Sequence, residues 1–239
     1  MAEARKQLNE LQIDQNLREE VYQNIKLFSE SKEALDISPE QKRYVEKALT
    51  NGKRNGVLLK GENLKELRIT KKKIGELRQK FYKCLSEDDS HFFSTDAELS
   101  GVPTDVIESM EMGMDGKRKV TMNHYYPVMN YCTNPETRYT MIKTKQNICG
   151  EENTETLEEL MNLRHRHANI LGYTTHADFV LEERMVKTPE NVKNFLTDLT
   201  SKFKVLWNKE LQILLGLKKS ETKEVGVEFN GTLAAEDIG

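Results

Sequence analysis

The sequence predicts a mainly α-helical protein, a stack of long amphipathic helices with one small insertion that resembles a β-hairpin. Over most of the 239 residues, apolar side chains recur at intervals of three and four positions, which is the spacing of one helix face. Charged residues make up 31% of the chain and hydrophobic residues 37%, a balance typical of helices with one apolar stripe and a wide polar face. Start and stop signals divide the periodic stretches into separate helices.

Three helices are predicted in the first part of the chain. The first has its apolar stripe over residues 8–28 and ends just after it. Ser38 opens the second, because a serine followed three positions later by Gln41 can form a capping box, and Gly52 ends it. The third covers residues 62–86.

A short strand is predicted at residues 118–122, where side chains alternate after the turn signal Asp115-Gly116. A single strand has no hydrogen-bonding partner of its own, so the partner must come from near Phe92-Phe93 or from another chain. Between the two, a brief helix is predicted at residues 103–110.

The last part of the chain is predicted to be helical. Asn134, followed by a proline, opens a helix that Gly172 closes. A short helix follows over residues 175–185. Residues 188–226 form either one long helix or two that join near Trp207.

The charge balance favours neither nucleic acid nor membrane as a partner. The net charge is −3, from 36 basic and 39 acidic residues, and creates no strong overall field. No apolar stretch approaches the roughly eighteen residues that span a bilayer, and the N-terminus has no apolar signal region, so the predicted location is the cytoplasm. The local cluster of lysines at residues 71–73 is interpreted as a solvated helix face rather than a phosphate site.

Cys84, Cys132 and Cys149 are widely spaced and form no C-x-x-C pair. This spacing argues against a disulfide framework and against a thiolate zinc site. The three are interpreted as buried or half-buried thiols in a reducing compartment.

No catalytic, cofactor-binding or metal-binding residue is predicted. Two histidines four positions apart on one helix can reach a single zinc ion, but no two of the five histidines have this spacing. His165 and His167 point about 200° apart on a helix, so one is expected to be solvated and the other half-buried. His176 lies near Asp178, but no nucleophile motif accompanies them, which favours packing at a helix entry.

Two other patterns are interpreted as structural. The glycine-flanked basic segment 52–56 lacks the order of a phosphate-binding loop and is interpreted as a surface turn. The adjacent glutamates Glu158-Glu159 and Glu182-Glu183 are placed on helices, where neighbouring side chains diverge by about 100°. No acid/base pair is therefore expected from them.

The run Leu171–Glu182 resembles the corresponding segment of the thimet oligopeptidase and neurolysin family of zinc metallopeptidases, and neurolysin most of all. Agreement in one order over nearly the whole chain is more specific than any single motif. The other agreeing stretches are Lys53–Gly56, Ala97–Leu99 with Pro103, Lys119–Thr121, Tyr126–Met129, Pro135–Arg138 and Glu151–Thr154.

The resemblance implies a helical metallopeptidase fold in which two domains flank a deep, narrow channel that admits short peptides. In that family an H-E-x-x-H helix supplies two zinc-binding histidines and a general-base glutamate, and the metal activates water. Residues 1–239 contain no such motif. They are therefore predicted to form a single helical region, which is the N-terminal part of the fold without its catalytic zinc domain. This region is predicted to be inactive alone and to hold no cofactor of its own, because the zinc is a property of the family.

The sequence also departs from the family within the matched region. The segment 122–126 is shortened, and the apolar pattern over residues 140–148 is weaker. Glu236 stands where the family has a tryptophan, which predicts a void or a charge that needs a partner. These departures suggest a truncated or decayed relative, or a partial gene product.

Three functional hypotheses stay open. A helical portion of an oligopeptidase that supplies one channel wall predicts uncovered apolar stripes. The alternative, a non-catalytic helical module that binds short peptides or a related helical subunit, predicts a monodisperse protein that melts cooperatively. The third is an active peptidase whose zinc site sequence reasoning does not recognise. Family members are also mitochondrial or secreted.

Overall fold

The computed structural model describes residues 2–226 and 228–237. Over these ranges the chain is mainly α-helical with one two-stranded antiparallel sheet, which confirms the predicted fold class. The helices are α1 (Ala2–Asn16), α2 (Glu19–Ser29), α3 (Pro39–Asn55), α4 (Gly61–Ser86), α5 (Thr104–Ser109), α6 (Tyr125–Tyr131), α7 (Pro135–Gln146), α8 (Gly150–Ile170), α9 (His176–Leu181) and α10 (Pro189–Val225). The strands are β1 (His91–Ser94) and β2 (Arg118–Thr121), and short 3-10 helices lie at Glu33–Leu35, Met122–His124 and Ala235–Asp237.

The described residues cluster in two compact units. Unit 1 contains the residues up to Lys83 together with Asn153–Asn191, and unit 2 contains Cys84–Glu152 together with the residues from Val192 onward. This division does not test whether residues 1–239 form one helical region of a larger fold, which stays a prediction.

Three predicted helix starts are confirmed by side-chain hydrogen bonds. Ser38, Asn134 and Thr175 each accept a bond from a backbone N–H two or three positions later, at 3.3, 3.0 and 3.1 Å. Each bond satisfies a donor that the first turn of a helix leaves free. The start signals therefore fix where α3, α7 and α9 begin.

The first predicted helix is two helices. The backbone N–H groups of Leu17 and Arg18 donate three residues back rather than four, so the ladder of α1 stops there. Glu19 and Glu20 then begin α2, where negative charge favours a helix N-terminus. Apolar spacing continues through this break and does not reveal it.

The predicted helix end at Gly52 is wrong. α3 continues to Asn55, and Gly56, with a left-handed φ of +88°, follows it. The segment interpreted as a surface turn is thus the last turn of α3. Gly52 serves a close contact instead, because a Cβ there would lie 2.5 Å from Cδ2 of Tyr22.

The predicted hairpin partner is confirmed. β1 and β2 pair antiparallel, with Phe92 opposite Val120 and Phe93 opposite Lys119. Val120 is fully buried, so one face of the hairpin packs into the core of unit 2. The buried apolar residues of this core are Leu99, Val102, Met110, Val120, Val128, Met129, Cys132, Met141 and Ile142.

The helix predicted from Asn134 to Gly172 is divided into α7 and α8. Cys149 lies at the division with a φ of +51°, a conformation in which an α-helix cannot continue. This turn places Cys149 beside the end of α4, and Cys84 and Cys149 form a disulfide with their Cα atoms 6.2 Å apart. The prediction of unpaired thiols is wrong for these two cysteines, because their spacing along the chain does not show that they lie close together in the fold. Cys132 is a buried thiol, as predicted.

α10 is one continuous helix, and Gly226 follows its end with a φ of +75°. Nine of its large apolar side chains keep 36–64% of their surface exposed, whereas Leu211, Leu214 and Leu215 are partly buried. Eight of the exposed ones lie on one side of the helix. We call them the α10 apolar face: Phe195, Leu196, Leu199, Phe203, Leu206, Trp207, Ile213 and Leu217. An uncovered stripe of this kind is what the oligopeptidase hypothesis predicts. Across the described part of the chain, no helix has the length and apolar character to cross a bilayer.

Candidate functional site

Residues from three helices and a connecting turn meet around Phe179 in unit 1. Its ring lies edge-on to the rings of His167 and Tyr173, with centroids 5.1 and 5.2 Å apart. The guanidinium of Arg54 lies 4.2 Å from the centroid of Phe179, and the ring of His176 stacks at 6.1 Å. We call these five residues the Phe179 cluster.

Two glutamates that follow α9 hold Arg54 in place. Nη1 of Arg54 bonds to the Glu182 carboxylate, and Nε lies 3.2 Å from Oε2 of Glu183. The prediction that these glutamates lie on a helix and diverge is wrong, because α9 ends at Leu181 and the following turn directs both carboxylates to one guanidinium. They form an ion-paired anchor rather than an acid/base pair.

Sequence reasoning did not single out Arg54 or Phe179. The glutamate that Arg54 contacts lies 128 positions away, so no local pattern connects them. The signal that could have found them is the family resemblance, since both residues fall in matching stretches.

The charges of the anchor are set by its hydrogen bonds. The bond donated by Tyr173 Oη lowers the pKa of Glu182, with Arg54 acting in the same direction and burial opposing it. Burial, followed by the bond to Glu182, raises the pKa of Tyr173. At neutral pH the glutamate is therefore ionised and the tyrosine is neutral.

The two histidines of α8 differ as predicted, although the inner one is more buried than expected. His165 is exposed, whereas His167 keeps 8% of its surface. Burial lowers the pKa of His167 to about 4, and the charges of Lys71, His176 and Arg54 act in the same direction. His167 is therefore neutral at pH 7.

We expect the stability of unit 1 to fall as the pH decreases from about 6.5 to about 4. In this window the unfolded chain binds a proton at His167 and the folded chain does not. The contribution is complete above pH 6.5 and lost below pH 4, and it amounts to at most about 3 kcal/mol. Urea unfolding at several pH values should show a flatter dependence for His167→Gln. His165→Gln should keep the wild-type dependence, and identical profiles for both variants would contradict the expectation.

His176 and Asp178 do not form a catalytic pair. The Asp178 carboxylate accepts hydrogen bonds from the backbone N–H and the hydroxyl of Thr175, at 3.0 and 2.7 Å, and so caps α9. His176 stacks on Phe179, which agrees with packing at a helix entry.

The prediction of a solvated lysine face is confirmed for Lys72 and Lys73 and is wrong for Lys71. Lys71 is partly buried, and its Nζ donates to the backbone oxygen and to Oδ1 of Asn55, at 2.9 and 3.1 Å. Burial lowers the pKa of Lys71 to about 8. Lys72 and Lys73 are exposed and each pairs with a glutamate.

Replacing Arg54 with alanine should lower the free energy of unfolding of unit 1 by about 2 kcal/mol, because two carboxylates and an aromatic face lose their cation. The expected loss is smaller than for a fully buried pair, since the side chains of Glu182 and Glu183 are 45% and 35% exposed. Arg68→Ala is the control, because that arginine pairs with Asp14 at the surface, and it should cost less than about 0.5 kcal/mol. Equal losses in denaturant titrations would argue against the anchor.

In unit 2, Arg138 ties the end of the described chain to α7. Its Nη1 donates to the carbonyl of Cys132 at 2.7 Å, and its Nε donates to the carbonyl of Glu236 at 2.9 Å. Lys218 of α10 adds an ion pair to Asp237 at 2.6 Å. A cavity of about 590 Å³ lies beside this network and Glu236 lines it.

The residues present do not fit the zinc site of the resembling family. In residues 2–226 and 228–237, no three side chains of histidine, cysteine, aspartate or glutamate lie together as ligands of one metal ion. His165 and His167 face different surroundings, one exposed and one buried. We therefore assign no step of zinc chemistry to these residues, and the expected lack of a cofactor stays a prediction.

Comparison with known proteins gives one consistent result. The sequence profile described as "Peptidase family M3" matches residues 128–235. "Probable thimet oligopeptidase" of Arabidopsis thaliana is 34% identical over 215 residues, and "Saccharolysin" of Saccharomyces cerevisiae is 31% identical over 228 residues. "Thimet-like oligopeptidase" of Dictyostelium discoideum is 32% identical over 196 residues.

The alignments cover most of this chain and a minor part of each relative. They include 88%, 91% and 79% of the chain but 30%, 32% and 29% of the Arabidopsis, Saccharomyces and Dictyostelium proteins. The chain therefore spans about a third of the length of these relatives.

Proposed function

The chain belongs to peptidase family M3, and we propose that it is the N-terminal helical portion of a zinc metallo-oligopeptidase that cleaves short peptides. In this proposal its helices supply one wall of the peptide channel. The remainder of the fold supplies the zinc ligands and the general base, so the chain alone does not cleave peptides.

The observation that carries this proposal is the α10 apolar face. Phe195, Leu199, Phe203 and Leu206 are spaced at three and four positions, so they lie on one side of the helix. Monomeric proteins seldom leave such a continuous row of large apolar side chains in water, and covering it stabilises a fold by about 25 cal/mol per Å². We propose that the remaining part of the peptidase fold covers this face.

Metal content and turnover of the purified chain test the proposal. We expect far less than one zinc ion per chain and no chelator-sensitive hydrolysis of a quenched fluorescent peptide. The "Thimet-like oligopeptidase" of Dictyostelium discoideum in the same assay is the positive control. Stoichiometric zinc together with chelator-sensitive turnover in this chain would overturn the assignment of a non-catalytic wall.

For partners, we propose short peptides or a related helical subunit, and neither nucleic acid nor a membrane.

For the location, we propose the cytoplasm. The Cys84–Cys149 disulfide is the observation that argues against that compartment, because disulfides persist mainly in oxidising environments. Alkylation of free thiols in intact cells, followed by mass analysis, tests this: fully alkylated Cys84 and Cys149 support the cytoplasm, and an oxidised pair contradicts it.

A further inference from the structure

A polar cavity of about 520 Å³ opens in unit 1 beside the Phe179 cluster. α1, α4 and α8 supply most of its lining. Three side chains in the lining are basic, Lys71, Arg78 and Arg164, and two are imidazoles, His167 and His176. Asparagine and glutamine carboxamides supply most of the other polar groups, and within the described residues no carboxylate lines the cavity.

The positive groups of this cavity lack compensating negative charge. Neither Arg78 nor Arg164 has an ion-pair partner among the described residues. The acidic residues interspersed with the lining residues of α1 are Glu10 and Asp14, and both pair with cations outside the cavity. The lining therefore presents cations and amide donors to whatever enters.

Two lining groups have hydrogen-bonding capacity that the described residues do not use. Nδ1 of His176 is buried and has no partner among them. Nζ of Lys71 donates twice to Asn55, which leaves its third N–H for a ligand. The pKa values of both imidazoles are consistent with a cluster of cations in this cavity. Burial, followed by the charge of Arg164, lowers the pKa of His176. Burial, followed by the charge of Lys71, lowers the pKa of His167.

We propose that this cavity binds a small polyanion through phosphoryl or clustered carboxylate oxygens. At neutral pH, Lys71, Arg78 and Arg164 together carry about three positive charges, which matches a ligand with two or three negative charges. Guanidinium groups bind such oxygens in pairs, and the carboxamides add neutral donors. The volume lies in the range of small-molecule sites and exceeds what a lone ion needs.

Calorimetric titration of the full chain with pyrophosphate and with citrate tests this proposal. We expect saturable binding at one site, weakened about tenfold or more by Arg164→Gln and by Arg78→Gln. Arg43→Gln, which removes an exposed cation of α3 outside the cavity, should leave the affinity unchanged. Circular dichroism melts of each variant establish that it is folded, and Arg78, whose side chain is exposed, provides the variant least able to disturb the fold.

An NMR titration of the imidazole resonances gives an independent readout. Saturating anion should raise the pKa of both His167 and His176, because it neutralises the charges that lower them. Tighter binding of pyrophosphate assigns the site to phosphoryl ligands, and tighter binding of citrate assigns it to carboxylates. The absence of saturable binding by either anion, or an equal loss in Arg164→Gln and Arg43→Gln, would overturn the proposal.

Discussion

Alanine in place of Gly56 should lower the free energy of unfolding of unit 1 by about 4 kcal/mol. Gly56 adopts a φ of +88°, where an L-residue costs about 1–2 kcal/mol. A Cβ there would also lie 2.2 Å from Cδ2 of Leu67, a side chain with no exposed surface. Leu67 cannot withdraw into solvent, so overpacking adds about 1–3 kcal/mol.

Gly172 provides the matched control for this prediction. It has the same φ of +88°, but apart from its own chain neighbours no described residue has an atom within 4 Å of its added Cβ. Gly172→Ala should therefore show the conformational cost alone, about 1 kcal/mol. Denaturant titration of both variants separates the two terms, and equal losses would show that the contact with Leu67 contributes nothing.

Reduction of the Cys84–Cys149 disulfide should lower the stability of unit 2 by about 4 kcal/mol. The bond joins residues 65 positions apart, so breaking it returns a large loop entropy to the unfolded chain. Thermal melts with and without reductant measure the effect, and we expect a clearly lower melting temperature in the reduced protein.

Two variants control for other effects of the reductant. The double variant Cys84→Ser/Cys149→Ser should melt, with and without reductant, at the melting temperature of the reduced wild-type protein. Cys132→Ala should keep the response to reductant, because Cys132 is a free thiol. A wild-type melt that is indifferent to reductant would contradict the expectation.

Elements fixed by local chemistry could be predicted from the sequence. Ser38 and Thr175 accept the hydrogen bonds expected of N-caps, and the hairpin partner of β2 lies at Phe92-Phe93. The apolar stripe of α10 also follows from its sequence spacing, whereas its exposure is a finding of the structure. For the caps and the stripe the information lies within a few residues or in one helical period, whereas the hairpin partner follows from a strand's need for a second strand.

The elements that sequence reasoning missed depend on contacts between distant segments. Gly52 has the chemistry of a helix end, but the ring of Tyr22 occupies the space beside it and the helix continues. The lysine cluster has the composition of a solvated face, yet Lys71 of α4 donates a hydrogen bond to Asn55, which lies on α3. Local composition does not encode either contact.

The central claim is that the apolar face of α10 is uncovered in this chain and is completed by the rest of the peptidase fold. Its most direct test is the change in unfolding free energy caused by Phe203→Gln. That side chain is 56% exposed, so we expect a loss below about 0.5 kcal/mol, whereas Met141→Gln, at a fully buried position, should cost about 3 kcal/mol. A comparable loss for Phe203→Gln would show that the face is already buried and would contradict the claim.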